Sequence, residues 1–140
     1  MAFKKIHNNK TRYYFFVKNK NTEIYLTRII NFTDYKNNLI KIKEFPPNFG
    51  YFIFNPKGFN SFLINEKLDI IFTDWDNHIF HLEKNFKTNS FTKGFKNAKF
   101  LYILPQKTID NFNINLNDII THRRMSNKKW RKIEFRKISY

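Results

Sequence analysis

Apolar, aromatic and β-branched residues recur along the chain in short bursts separated by stretches rich in Asn, Asp and Lys, a spacing that suits strands better than helices. The longest uninterrupted apolar runs are five residues, Tyr13 to Val17 and Phe100 to Leu104, far below the ~18–20 that a membrane-spanning helix needs. Arg12 to Val17 and Glu23 to Ile30 read as the first two strands. Asn31 or Thr33 can cap one or two helical turns that set Tyr35 and Leu39 on one face, and Pro46-Pro47 forces a loop over Glu44 to Asn48. Phe49 to Phe54, Ser61 to Ile64 and Leu68 to Asp74 have strand composition, with a turn at Asn55 to Gly58. Trp75-Asp76-Asn77 is turn chemistry, and His78 to Glu83 makes the returning arm of a hairpin over Leu68 to Glu83. Lys84 to Lys96 reads as loop, Lys99 to Leu104 as strand, Thr108 to Phe112 as a helical turn and Asn115 to Ile120 as a closing strand. The pattern predicts an α+β fold that is mainly β.

Composition changes this picture in two ways. With no Cys and only three Gly in 140 residues, disulfide frameworks, thiolate metal sites, cysteine nucleophiles and glycine-rich phosphate loops are excluded. Asn, Lys, Ile, Phe and Tyr supply 83 residues; all have AT-rich codons, so the number of lysines carries less information than their placement. Residues 1–20 hold six bases and no acid, and residues 121–140 hold eight bases and one acid, Glu134. These two ends carry thirteen of the fifteen net positive charges, and residues 21–120 are near neutral. The expected organisation is a basic N-terminal arm and first strand (1–20), a β domain (21–120) and a basic C-terminal extension (121–140). The start of the chain is basic but has no 7–15-residue apolar stretch behind it, so neither a secretory signal nor an integral membrane segment is expected, and the expected location is cytoplasmic.

Ser61-Phe62-Leu63-Ile64-Asn65, Leu68-Asp69-Ile70-Ile71-Phe72-Thr73-Asp74-Trp75-Asp76, Lys99 to Pro105 and Leu116 to Ile120 follow one another in an order and spacing that resembles the uncharacterised domain-of-unknown-function 192 family. The resemblance covers roughly residues 20–120, with Gly50 to Phe54 in the place of the family's glycine-methionine-x-phenylalanine strand. Leu63-Ile64 replaces the family's tryptophan-methionine pair, and Lys67 replaces its proline before Leu68-Asp69. What the resemblance implies is a compact, mostly antiparallel small β domain with one or two short helices, and no chemistry.

No catalytic constellation emerges from the residues. Asp74 and Asp76 could chelate a hard cation, but an Asp/Asn hairpin corner accounts for both. His78 and His81 are three apart on a strand and point to opposite faces, so they cannot share one metal. Asp69 beside apolar neighbours could serve as a base with a raised pKa, but its place in the family motif implies a hydrogen-bonded structural carboxylate, and none of Ser61, Ser90, Ser126 and Ser139 lies in a nucleophile motif. No metal or cofactor is expected. Residues 121–140 are the strongest functional signal, because they hold four of the chain's six Arg beside Trp130, Phe135 and Tyr140. Arg123, Arg124, Lys128, Lys129, Arg131, Lys132 and Arg136 can neutralise phosphates, and Trp130 can stack an unpaired base. The expected role is a non-enzymatic accessory module docked on RNA or a ribonucleoprotein such as the ribosome. The alternative is a subunit of a protein assembly whose basic arms wrap an acidic partner.

Overall fold

The computed structural model describes residues 11–40 and 45–126. Seven strands form one sheet: β1 (Tyr13–Val17), β2 (Lys20–Arg28), β3 (Phe49–Phe54), β4 (Leu68–Thr73), β5 (Ile79–Phe86), β6 (Phe100–Leu104) and β7 (Ile120–Arg124). Their order is β5-β4-β6-β3-β2-β1-β7, and every neighbouring pair is antiparallel except β2–β3. Two short helices complete the described residues, Phe32–Tyr35, which continues into a π turn over Lys36–Ile40, and Thr108–Asn111. The fold is thus the mainly β domain that the pattern predicts, and it is mostly antiparallel, as the resemblance implies.

The two ends of the sheet meet. Ile79 N donates to Asp118 O at 2.9 Å, Asn117 N to Ile79 O at 2.8 Å and Ile120 N to Asn77 O at 3.1 Å, which stitches the entry to β7 onto the β4–β5 corner. The sheet therefore wraps round an inner core of Phe15, Val17, Ile24, Leu26, Phe52, Ile71, Ile79, Tyr102, Leu104, Ile109, Ile114 and Ile120. On the outer side, the segments between strands cover Tyr51, Ile70, Phe72, Leu101 and Ile103 with Ile29, Leu39, Phe59, Ile64 and Phe86. All six residues of β4 are consequently buried, which is why Leu68-Asp69-Ile70-Ile71-Phe72-Thr73 reads as a near-continuous apolar run without alternation. Full burial of each such side chain stabilises the fold by roughly 1.5–3 kcal/mol.

Asp69 is the one carboxylate inside β4, only 1% exposed. Its Oδ1 accepts from Asn85 N at 3.0 Å and its Oδ2 from Ile109 N at 2.9 Å, so it ties β5 and the second helix to the central strand. Gly50 is required by close approach: a Cβ there would sit 2.9 Å from Ile103 O and 3.0 Å from a Leu104 methyl. The first helix starts at Asn31, whose side chain accepts from Asp34 N at 2.9 Å.

Four expectations are corrected. Ser61 to Ile64 is a turn rather than a strand: Leu63 lies at φ 66° and Ile64 N donates to Ser61 O. Asn115 to Asp118 is also a turn, because Asp118 Oδ2 accepts from Asn115 N at 2.7 Å and Asn117 is left-handed; the closing strand begins only at Ile120. β5 runs on to Phe86 through a left-handed Asn85, so the segment expected as loop from Lys84 is strand for three more residues. Finally, β7 carries Thr121 to Arg124 into the sheet against β1, so the cationic extension begins inside the domain rather than after it.

Asparagine takes over work that glycine usually does. Seven asparagines, Asn19, Asn55, Asn77, Asn85, Asn89, Asn113 and Asn117, have positive φ, a region Asn tolerates better than most residues.

Candidate functional site

Strand alternation sends Arg12, Tyr14 and Phe16 to the outer face of β1, and antiparallel pairing sets Arg123 of β7 opposite Tyr14. The Arg123 guanidinium lies over two rings, 5.6 Å from the centre of Tyr14 and 5.2 Å from that of Phe16. The rings continue across the sheet: Tyr14 is 6.2 Å from Phe16 and 6.4 Å from Tyr25, and Tyr25 is 6.1 Å from Phe49. The Arg12 guanidinium sits 5.9 Å from the Phe49 ring. All four aromatic residues are partly exposed. The result is a row of rings across β1, β2 and β3 with an exposed guanidinium, that of Arg123, near one end and the buried Arg12 near the other.

Of the residues expected to contact nucleic acid, Arg123 belongs to this row. Arg124 is exposed on the opposite face of β7, paired with Tyr13. Lys128, Lys129, Trp130, Arg131, Lys132 and Arg136 lie outside the described residues. Tyr14, Phe16, Tyr25 and Phe49 were not among the expected site residues. Alternation in Arg12-Tyr13-Tyr14-Phe15-Phe16-Val17 already separates Tyr14 and Phe16 from Tyr13 and Phe15, but joining them to Tyr25, Phe49 and Arg123 needs strand order, which no local pattern carries.

A second feature lies on the inner face. A cavity of about 340 Å³ is lined by Tyr13, Arg28, Phe52, Phe54, Phe100 and His122. The His122 ring stacks on Phe52 with centres 4.1 Å apart, meets Phe100 edge-on at 4.7 Å, and shares a 2.8 Å hydrogen bond between Nδ1 and the Tyr102 hydroxyl. Burial, together with the positive charges of Lys99 and Arg28, pushes the imidazole down to about 4 from an ordinary 6.5, so it is neutral at physiological pH. Burial also raises the Tyr102 phenol, which keeps its proton. Lys99 Nζ lies 5.2 Å from the Phe100 ring and 5.4 Å from that of Trp75; the Arg28 guanidinium lies 5.8 Å from Phe54.

The remaining candidates are structural. Asp74 Oδ1 accepts from Asp76 N at 2.9 Å and His78 N at 3.0 Å, which builds the hairpin corner. His81 Nε2 pairs with Glu83 at 3.0 Å. No group of three or more His, Cys, Asp or Glu among the described residues could hold a metal ion, and no helix there is long and apolar enough to cross a membrane.

No protein-family model and no curated protein matches the chain. Among solved structures, the fold is similar to that of a candidate transcription regulator from Sinorhizobium meliloti 1021, with a TM-score of 0.66 at 12% identity over 81% of this chain and 93% of that one. It is equally similar to that of a protein of unknown function from Novosphingobium aromaticivorans DSM 12444, with a TM-score of 0.66 at 13% identity over 80% and 84% of the two chains. At such identities the likeness concerns the fold alone.

Proposed function

We propose that this chain is a non-enzymatic cytoplasmic binding module that docks on single-stranded RNA, free or within a ribonucleoprotein such as the ribosome. It does so through the outer face of β1, β2 and β7 and the cationic segment that continues from β7. Divergent membership of the domain-of-unknown-function 192 family belongs to the same proposal. The observation that carries the reading is the Arg123 guanidinium held over Tyr14 and Phe16 at the head of a row of partly exposed rings. Every base has a π face that can stack on such rings, and arginine adds both stacking and paired phosphate contacts. Arg123 is the penultimate residue of β7 and precedes in sequence a segment, residues 127–140, that holds Lys128, Lys129, Arg131, Lys132 and Arg136. Rings would position bases while these cations neutralise phosphates, giving strong salt dependence and little base selectivity.

Fluorescence anisotropy with a labelled oligouridine tests this reading. If about five phosphates are neutralised, log affinity falls against log salt with a slope of about −3.5. Phe16→Leu, which keeps apolar bulk and removes the ring, weakens binding about tenfold, in line with a stacking contribution of ~1–3 kcal/mol per base. Arg123→Gln reduces the slope by about 0.7. Affinity indifferent to salt and to both variants refutes the reading. Tighter binding of polyglutamate than of RNA also rejects it and points to the acidic protein partner.

A further inference from the structure

The inner cavity stands apart from the outer ring row, because its residues alternate onto the other face of the sheet. Five strands converge on it: Tyr13 from β1, Arg28 from β2, Phe52 and Phe54 from β3, Phe100 from β6 and His122 from β7. Registry puts Arg28, Phe52 and Tyr102 in one row across the sheet and Phe54 beside Phe100 in the next. A site assembled from rigid strands holds its shape better than one assembled from loops.

Its walls are rings. Phe54 and Phe100 are 5.7 Å apart, and Trp75 meets Phe54 edge-on at 5.9 Å. At the rim, Phe54 is 41% and Trp75 57% exposed. Leaving these rings partly in water forgoes a part of the burial free energy that full coverage would give, and a ring entering the cavity would recover some of it. Its charge is one-sided. Arg28 lines the cavity and Lys99 lies against Phe100, which does, while none of the lining residues is acidic. The imidazole on the wall is held neutral by burial first and then by the positive charges of Lys99 and Arg28. Cations set beside rings at the protein surface attract an anion more strongly than isolated charges in open water do. The volume, about 340 Å³, stands near the lower end of small-molecule sites, which run from roughly 300 to 1,000 Å³, and suits one or two fused rings.

We propose that this cavity binds a small planar organic anion, an aromatic carboxylate of one or two rings, its ring lodged against Phe54 and Phe100 and its carboxylate held by Arg28 and Lys99. Edge-to-face and offset contacts favour a flat unsaturated body over an aliphatic chain of equal size, and the two cations select the acid over its neutral amide. The site and the RNA face share no residue, so either proposal can fail without the other.

The test compares 2-naphthoate with its neutral isostere 2-naphthamide by isothermal titration calorimetry on the full chain, with His122 followed by side-chain NMR. Naphthoate binds at least about tenfold more tightly than naphthamide, the difference a fixed charge pairing of ~1.4 kcal/mol makes. Arg28→Gln and Lys99→Gln each lower naphthoate affinity several-fold, and Phe16→Leu and Arg123→Gln leave it unchanged. Bound naphthoate also raises the His122 titration midpoint, because an anion then offsets Arg28 and Lys99. Equal affinity for acid and amide overturns the proposal, as does naphthoate binding indifferent to both cation variants or absent at millimolar concentration. Both cations are at least partly exposed, so one variant suffices for the comparison if the other fails to fold.

Discussion

Stability should fall between neutral and mildly acidic pH because His122 refuses a proton that the unfolded chain accepts. Its ring is wedged between Phe52 and Phe100, accompanied by Lys99 and Arg28, and its folded midpoint is depressed from 6.5 to about 4. Above pH 6.5 the imidazole is neutral in both states and the fold is unpenalised. As pH falls towards 4, the unfolded chain takes up the proton and the folded chain does not, so unfolding gains free energy and stability is lost. The full separation corresponds to roughly 3 kcal/mol; the ring is only part-buried, and discounting for solvent screening leaves about 2 kcal/mol. For a chain of this length that is a fall in Tm of roughly 4–8 °C. Carboxylates titrate in the same range, so the informative quantity is the difference between the wild type and His122→Gln. In that variant the amide oxygen can still accept from Tyr102, but the titrating group is gone. Urea unfolding at pH 7.5 and pH 4.0 should show the wild type losing about 2 kcal/mol more than the variant over this interval. Equal losses, or an NMR titration of His122 centred near its ordinary value, would refute the reasoning.

Three further outcomes follow from the same contacts. Asp69→Asn turns an acceptor of two backbone amides into a group that faces one of them with its own donor, so it should cost about 2–3 kcal/mol in urea unfolding. Gly50→Ala puts a methyl group 2.9 Å from Ile103 O and should destabilise by ~1–3 kcal/mol, readable as a lower Tm in calorimetry. Deletion of residues 127–140 should remove most of the salt dependence of RNA binding, read as a flatter slope of log affinity against log salt, whereas deletion from residue 121 also removes β7 and should unfold the sheet edge, read as a lower Tm.

Elements built from local chemistry were legible. The Leu68 to Glu83 hairpin shows because Asp74, Asp76 and Asn77 are turn residues between two apolar runs; the helix cap was narrowed only to Asn31 or Thr33, and the structure selects Asn31. Asp69 was expected as structural from its place in the resembled family's motif, and the two backbone amides it accepts from bear that out. Ser61 to Ile64 and Asn115 to Ile120 misled because a short apolar run has strand composition whether or not it is covered. Phe62, Leu63, Leu116 and Ile119 stay exposed and only Ile64 and Ile120 are buried, with the turns held by Ser61, Asp118 and left-handed Leu63 and Asn117. Asparagine abundance, open to a reading as codon bias, turns out to serve seven left-handed positions. The ring row and the inner cavity were hidden for a different reason. Both depend on β1 lying between β2 and β7 and on β3 lying between β2 and β6, pairings between residues as far apart in sequence as Tyr14 and Arg123.

The most direct measurement of the central claim is photo-crosslinking of the full chain to 5-bromouridine-substituted single-stranded RNA, with the attachment sites mapped by mass spectrometry. The account predicts adducts on Tyr14, Phe16 and Tyr25, competed by unlabelled RNA and lost at high salt. Adducts confined to other faces of the sheet, or none above the level of a neutral control protein, would contradict it.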